Sequence, residues 1–247
     1  MKAFCTLLKN ELKLNIRNMN MVIFAVILPL VVLVILGFLY GASPAADGVD
    51  YSFLEQSLGA LCAISVCAGG LMGLPLVVAE YRERKILKRF QVTPISPGML
   101  LAVEFLIYVI YALVSLITLL LLSRLAWGVQ LHGSWAGFVG SWLLTVCSTL
   151  SIGMMVGGIA RNTKSASVIA CILYFPMLIF SGATLPFEVM PEVMQKIISV
   201  FPITQGIQLM KAAFLGLPID HLGFPIIVMV CVILVCSGTA IKYFRWE

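Results

Sequence analysis

The stretch MVIFAVILPLVVLVILGFLY, Met21–Tyr40, decides the fold class. Its twenty residues include no Asp, Glu, Lys or Arg. A helix of about 20 apolar residues covers the ~30 Å hydrocarbon layer of a bilayer. Lipid cannot satisfy a bare backbone, so a stretch of this kind crosses as a helix. Five comparable runs follow, at about Leu58–Ala79, Met99–Leu122, Ala136–Ala160, Ser165–Gly182 and Phe224–Ile241. Of the 247 residues, 61% are hydrophobic and 11% charged, against roughly 25% charged in a soluble domain. One water-soluble core cannot hide that much apolar surface. The expectation is an all-α integral membrane protein with six transmembrane helices over residues 21–247, preceded by a separate leader at 1–20.

Lys and Arg orient the spans. Thirteen of the sixteen fall on one side: Lys2, Lys9, Lys13, Arg17, Arg82, Arg84, Lys85, Lys88, Arg89, Arg161, Lys164, Lys242 and Arg245. Arg124, Lys196 and Lys211 fall on the other, with six of the eleven acids: Asp47, Asp50, Glu55, Glu188, Glu192 and Asp220. Both termini are therefore expected in the cytoplasm, with the protein multi-pass in the plasma membrane. Trp127 and Trp135 near one boundary and Trp246 near the other suit interfacial belts. Small residues at Gly41–Ala46 resemble a signal-peptide cleavage site. The apolar run and its charged lead-in are both too long for one, which argues for a retained span.

Residues Met1–Asn20 follow a different pattern. Phe4, Leu8 and Leu12 recur every four residues, and so do Lys9, Lys13 and Arg17. That pattern predicts an amphipathic helix lying on the inner leaflet; a plain charged leader is the simpler alternative.

Charge concentrates once. Seven of the ten residues from Glu80 to Arg89 are charged. Insertion costs roughly 2.5–3.5 kcal/mol for such a residue at the bilayer centre, so the segment lies in water. Ile86, Leu87 and Phe90 still share one helical face, and Pro94 and Pro97 end the pattern before the third span. A short rigid helix at about 80–93 is expected. A solvated loop that only marks topology is the alternative, but it needs neither an apolar triad nor a proline stop.

EYRERKILKRFQVTPISPGMLLAVEF resembles the cytoplasmic segment of ATP-binding-cassette type-2 permeases, Glu-x-x-x-Gly-Thr-Leu-x-x-Leu-x-x-Thr-Pro-x-Ser. The matches are Glu80 or Glu83, Leu87, Thr93, Pro94 and Ser96. Lys85 and Ile86 replace the family's Gly-Thr, and Phe90 its second Leu. A longer resemblance covers Ser181–Gly216 through Ser181-Gly182, Pro186, Met190-Pro191, Gln195, Ile198-Ser199, Pro202, Thr204 and Lys211. The similarity extends over essentially the whole chain. It implies the membrane subunit of a bacterial exporter of the drug, antibiotic or lipid type. Two such subunits pair as a homo- or heterodimer, and each binds a cytoplasmic ATPase that carries ATP and Mg. The resemblance makes Glu80, Glu83, Arg84, Ile86, Leu87, Phe90, Thr93 and Pro94 the ATPase-docking residues of a coupling helix. Pro186, Pro191 and Pro202 cut the apolar segment at about 183–217 into short helices, expected to be re-entrant or to lie on the outer surface, with Ser181, Gly182, Pro186, Pro191, Pro202 and Lys211 at an outer gate. A purely structural cap is the alternative for that segment.

Other features carry less. Gly158–Ser165 (GIARNTKS) has Gly, Lys and Ser of a phosphate loop, but Thr163 stands where the second Gly is required, and no strand precedes it. No cofactor is expected on this chain. Glu104 sits one turn inside the third span as an intramembrane polar site. It suits a proton relay or a cation, or else snorkels or pairs with Arg89. Gly69-x-x-x-Gly73 and Gly153-x-x-x-Gly157 allow close helix contact, within one chain or between two. The seven cysteines read as small hydrophobes, and no metal or nucleic-acid partner is expected. The rival function is a secondary transporter or channel without an ATPase. That would call for more intramembrane ionisable groups or an internal repeat.

Overall fold

The computed structural model describes residues 2–17, 19–41, 43–45, 51–86, 96–180, 191, 195–196, 198–218 and 223–243. Among them, all regular structure is helical. Helix α1 is Lys2–Arg17, and a helical turn at Met19–Val22 leads into α2, Ile23–Tyr40. The longer helices are α3 (Phe53–Glu83), α4 (Pro97–Trp127), α5 (Trp135–Ile159) and α6 (Thr163–Phe180). A shorter helix, α7 (Pro202–Leu215), precedes α8 (Gly223–Tyr243). Six of these helices are long and apolar enough to cross a membrane: α2, α3, α4, α5, α6 and α8. Each falls within a few residues of one of the apolar runs.

The spans differ in what they face. In α3, 83% of the most apolar window is buried inside the protein, against 22% in α2, α6 and α8. Helix α3 is therefore a central strut, and the other three are peripheral. Val31, Ile35 and Phe38 of α2 and Val168, Ile172 and Phe175 of α6 turn outward at helical spacing. Helix α5 completes the centre, packing against α8, α7 and α3. Small residues make this packing close. Gly153 and Gly157 of α5 abut Gly70, Pro75 and Val78 of α3, so that small-residue face is used within one chain.

Two spans contain π-helical turns, Ile23–Ile27 in α2 and Ala68–Gly73 in α3. The first lies beside Pro29. Proline has no N–H for the carbonyl four residues back, Ala25. Ser65 of α3 donates its hydroxyl to that oxygen instead. Hydrocarbon offers no water for the same purpose, so a neighbouring helix has to supply the donor.

Helix α1 packs against the start of α4. Lys9, Lys13 and Arg17 are exposed, as the basic stripe requires. The buried stripe, however, runs through Leu7, Glu11 and Asn15, with Phe4, Leu8 and Leu12 beside it only partly buried. Two polar residues thus lie on the side expected to be greasy. They have partners inside the protein, described below.

Helix α7 is enclosed by α3, α5 and α8. Proline at its first position costs nothing, because the first N–H groups of a helix lack partners anyway. Gly206 meets the side chain of Thr145, and Gly59 of α3 meets Met210, Lys211 and Ile207. The linker between α4 and α5 closes the other end: His132 and Gly133 donate their N–H groups to Phe214 O, each at 3.0 Å. At Gly133 a Cβ would collide with the Ala213 carbonyl, so the contact demands glycine.

Candidate functional site

The charged segment begins as the end of α3. Glu80–Glu83 are the last residues of that helix, so a separate helix does not start at Glu80. Lys85 then takes φ 54°, a left-handed conformation uncommon outside glycine, and Ile86 is helical again. The break falls where the family pattern has Gly-Thr and this chain has Lys85-Ile86. Of the residues expected to dock an ATPase, Leu87, Phe90, Thr93 and Pro94 lie outside the described residues. Glu80 and Arg84 form an exposed i,i+4 ion pair at 2.8 Å, which contributes little in water.

Between them, Arg82 and Glu83 reach sideways to other helices. The Arg82 guanidinium donates to Gly158 O at 2.9 Å and to Ala160 O. These carbonyls belong to the last turn of α5 and its C-cap, where carbonyls have no helical partner of their own and the helix dipole is negative. The Glu83 carboxylate accepts from the backbone N–H of Thr163 at 2.9 Å and from its hydroxyl. Thr163 opens α6, where N–H groups are unpaired and the dipole is positive. Asn162 caps the same helix, accepting from Ser165 N at 2.8 Å. One cation and one anion, adjacent in sequence, thus hold two consecutive helix ends of opposite sign. Residues Gly158–Ser165, superficially like a phosphate loop, form the tight turn of that hairpin. Arg82, read from sequence as a topology charge, also has this structural partner.

Glu104 neither snorkels nor sits exposed: it is 0% exposed. Its carboxyl accepts from Tyr81 Oη at 2.9 Å and from Asn15 Nδ2 at 3.3 Å. Tyr81 Oη also lies 2.8 Å from Glu11 Oε2. A phenol has one proton to donate, and two carboxyl groups flank this one. The chain of hydrogen bonds closes when one carboxyl carries a proton and donates it to the phenol oxygen. This cluster ties α1 to the ends of α3 and α4. Glu11 and Asn15 on the buried stripe of α1, with Glu104 inside the third span, are the hints of it in the sequence. We expect Tyr81→Phe to leave the two carboxyls without the hydroxyl that links them and to cost about 2 kcal/mol. A thermal-unfolding series in detergent checks this, with Tyr174→Phe, away from the cluster, as control.

At the opposite end, Glu55 gathers three donors. It forms a capping box with Ser52: Ser52 N donates to Glu55 Oε2 at 2.8 Å, and Glu55 N to Ser52 Oγ at 3.2 Å. Its other oxygen accepts from Gln130 N at 3.0 Å and lies 3.3 Å from His132 Nε2. The box extends the second span back to Phe53, five residues before the apolar run begins. The Ser-x-x-Glu spacing at Ser52–Glu55 is a helix-start signal that hydropathy overlooks. Of the residues expected at an outer gate, Ser181, Gly182 and Pro186 lie outside the described residues. Pro191 is exposed, Pro202 begins α7, and Lys211 is half-buried on α7.

The family model for the ABC-2 type transporter matches residues 2–215. The chain belongs to the ABC-2 type transporter family. Among similar proteins, the inner membrane transport permease YhhJ of Escherichia coli (strain K12) is 29% identical over 150 residues, covering 60% of this chain and 40% of that protein. The probable multidrug ABC transporter permease YbhS of the same strain is 26% identical over 180 residues, 72% of this chain and 46% of that one. Nodulation protein J of Rhizobium meliloti (strain 1021) is 27% identical over 88 residues, 36% of this chain and 34% of that one. The matched region thus spans less than half the length of each. Family membership and six helices long and apolar enough to cross a membrane make the chain a multi-pass membrane protein.

Proposed function

We propose that the chain is the permease subunit of an ATP-driven exporter. It lies in the inner membrane with both termini in the cytoplasm. It pairs with a second permease subunit, and each half is driven by a separate cytoplasmic ATPase that binds ATP and Mg. The observation that carries this reading is the charged segment after α3. Its sequence is amphipathic, and the helix it leaves breaks at Lys85 and has its last turn bound to two other spans. A helix end so attached converts movement of a partner into movement of helices. Leu87 and Phe90 supply its apolar contact, and Glu80, Arg84, Thr93 and Pro94 frame it. The prolines and α7 before the last span form a lid over the exit. The substrate is amphipathic or lipid-like, as a pathway between apolar helices with few charges favours. The name of YbhS, a probable multidrug permease, points the same way.

Co-expression with a tagged ABC ATPase tests the assignment. The unaltered chain is expected to co-purify and to confer substrate-stimulated ATP hydrolysis in liposomes. A charge at an apolar contact adds an unpaired group to a desolvated surface. Leu87→Asp and Phe90→Asp should therefore lower the co-purified ATPase more than about tenfold. Undiminished co-purification would count against docking by this segment. Transport by the purified chain without any ATPase would favour a secondary carrier.

A further inference from the structure

We propose that Arg82 and Glu83 are positioning residues that lock the basic ends of α3, α5 and α6 into one rigid piece. A stroke received after α3 then reaches the fourth and fifth spans as well as the second. The inference rests on the docking reading above and reassigns Glu83 within it, from a residue facing the ATPase to one facing α6.

Three independent features converge on the joint. The first is the pair of polar contacts, each matched in sign to the helix end it holds. The second is an apolar contact of three fully or nearly fully buried alanines: Ala79 of α3, Ala160 between α5 and α6, and Ala166 of α6. Side chains this small let the backbones approach with little slack. The third is the face of α5 just above, where Gly157 rests on Val78 and Pro75. Joints of this kind resist sliding, because packed surfaces are bistable rather than continuously deformable. The piece also has marked limits. On one side is the left-handed residue Lys85; on the other is the π-helical turn Ala68–Gly73 of α3. Such turns break the regular ladder and often lie at functional sites. The rigid piece is thus the segment of α3 from Leu74 to Glu83, with the ends of α5 and α6 attached to it.

The first measurement uses spin labels at Leu76, half-buried on α3 and outside the docking residues, and at exposed Arg161, in a background lacking other reactive thiols. It is made on the chain alone and on its complex with the ATPase. A single narrow distance, the same without nucleotide and with ATP, is expected. A second distance population on ATP binding overturns the proposal, because the joint then opens during the cycle. The second measurement is transport per ATP hydrolysed in liposomes. Arg82→Ala should keep the co-purified amount of ATPase and lower the transport ratio by about tenfold, within the usual range of coupling between sites. Arg82→Lys keeps the charge but has no planar fork for two carbonyls, and an intermediate loss is expected. Unchanged coupling in both variants overturns the proposal. If Arg82→Ala fails to accumulate, the label distance in the chain with Arg82 intact still decides. An unaltered chain that binds no ATPase sinks the docking reading instead, and leaves the label distance as the test of the lock.

Discussion

Gly153→Val destabilises the folded chain by about 3 kcal/mol or more, the upper range for forcing extra atoms into a packed core. The cause is a backbone-to-backbone contact. A Cβ at position 153 would lie inside the contact distance of the Gly70 carbonyl oxygen, and 3.4 Å from Pro75 Cδ. Gly70 is reciprocally confined: a Cβ there would come within 2.8 Å of Thr149 Cγ2 and 3.4 Å of Leu150 N. No rotamer change relieves an overlap with backbone, so α3 and α5 would have to separate. Their separation would also undo the contact between Gly157 and Val78. A loss of that size shifts the folded-to-unfolded ratio by roughly two orders of magnitude, a large fraction of a typical protein's stability. Gly140→Ala is the control on the same helix. Nothing lies within 4 Å of that position, and alanine favours a helix over glycine by up to about 1 kcal/mol. Size-exclusion yield and thermal unfolding in detergent give the comparison. Wild-type behaviour of Gly153→Val would refute the close crossing of α3 and α5.

Glu55→Ala has the second largest expected effect, about 3 kcal/mol, from a lost helix cap and orphaned backbone donors together. One side chain satisfies Ser52 N and Gln130 N and meets His132. Alanine strands both N–H groups at the mouth of a packed bundle. It also frees the linker that donates to the Phe214 carbonyl and so closes the end of α7. Glu55→Gln keeps one acceptor oxygen and should lose about half as much. Glu55→Ala should also raise proteolytic cutting between Gly128 and Ser134, whereas a change at Ser52 alone would affect mainly the start of α3. Equal stabilities for Ala and Gln at position 55 would refute the role of this carboxylate.

Much of the architecture is legible without coordinates. The spans were readable because hydropathy over twenty residues is a local property, and the bilayer sets the length scale. Leader α1 was readable from its basic stripe for the same reason. The charged segment stood out because charge is costly in hydrocarbon and rare in this chain. The details that failed share one cause. The second span overran its apolar run at both ends, because a Ser52–Glu55 box and an Arg82–Glu83 pair extend the helix through polar residues. Glu104, which the sequence offers as a relay or cation site or as a snorkelling or paired carboxylate, turned inward because Tyr81 and Asn15 offer donors there.

What the sequence by itself determined is the class of the protein: helical, membrane-spanning, six apolar helices, with one charged segment set between two of them. Tertiary structure alone decided which polar group meets which. Arg82 finds carbonyls 76 and 78 residues away, Glu83 an N–H 80 residues away, and Asn15 a carboxyl 89 residues away. Hydrophobicity acts wherever an apolar residue leaves water, so its pattern can be read along the chain. A hydrogen bond requires two atoms within about 3 Å and aligned, and only the packed helices bring them there.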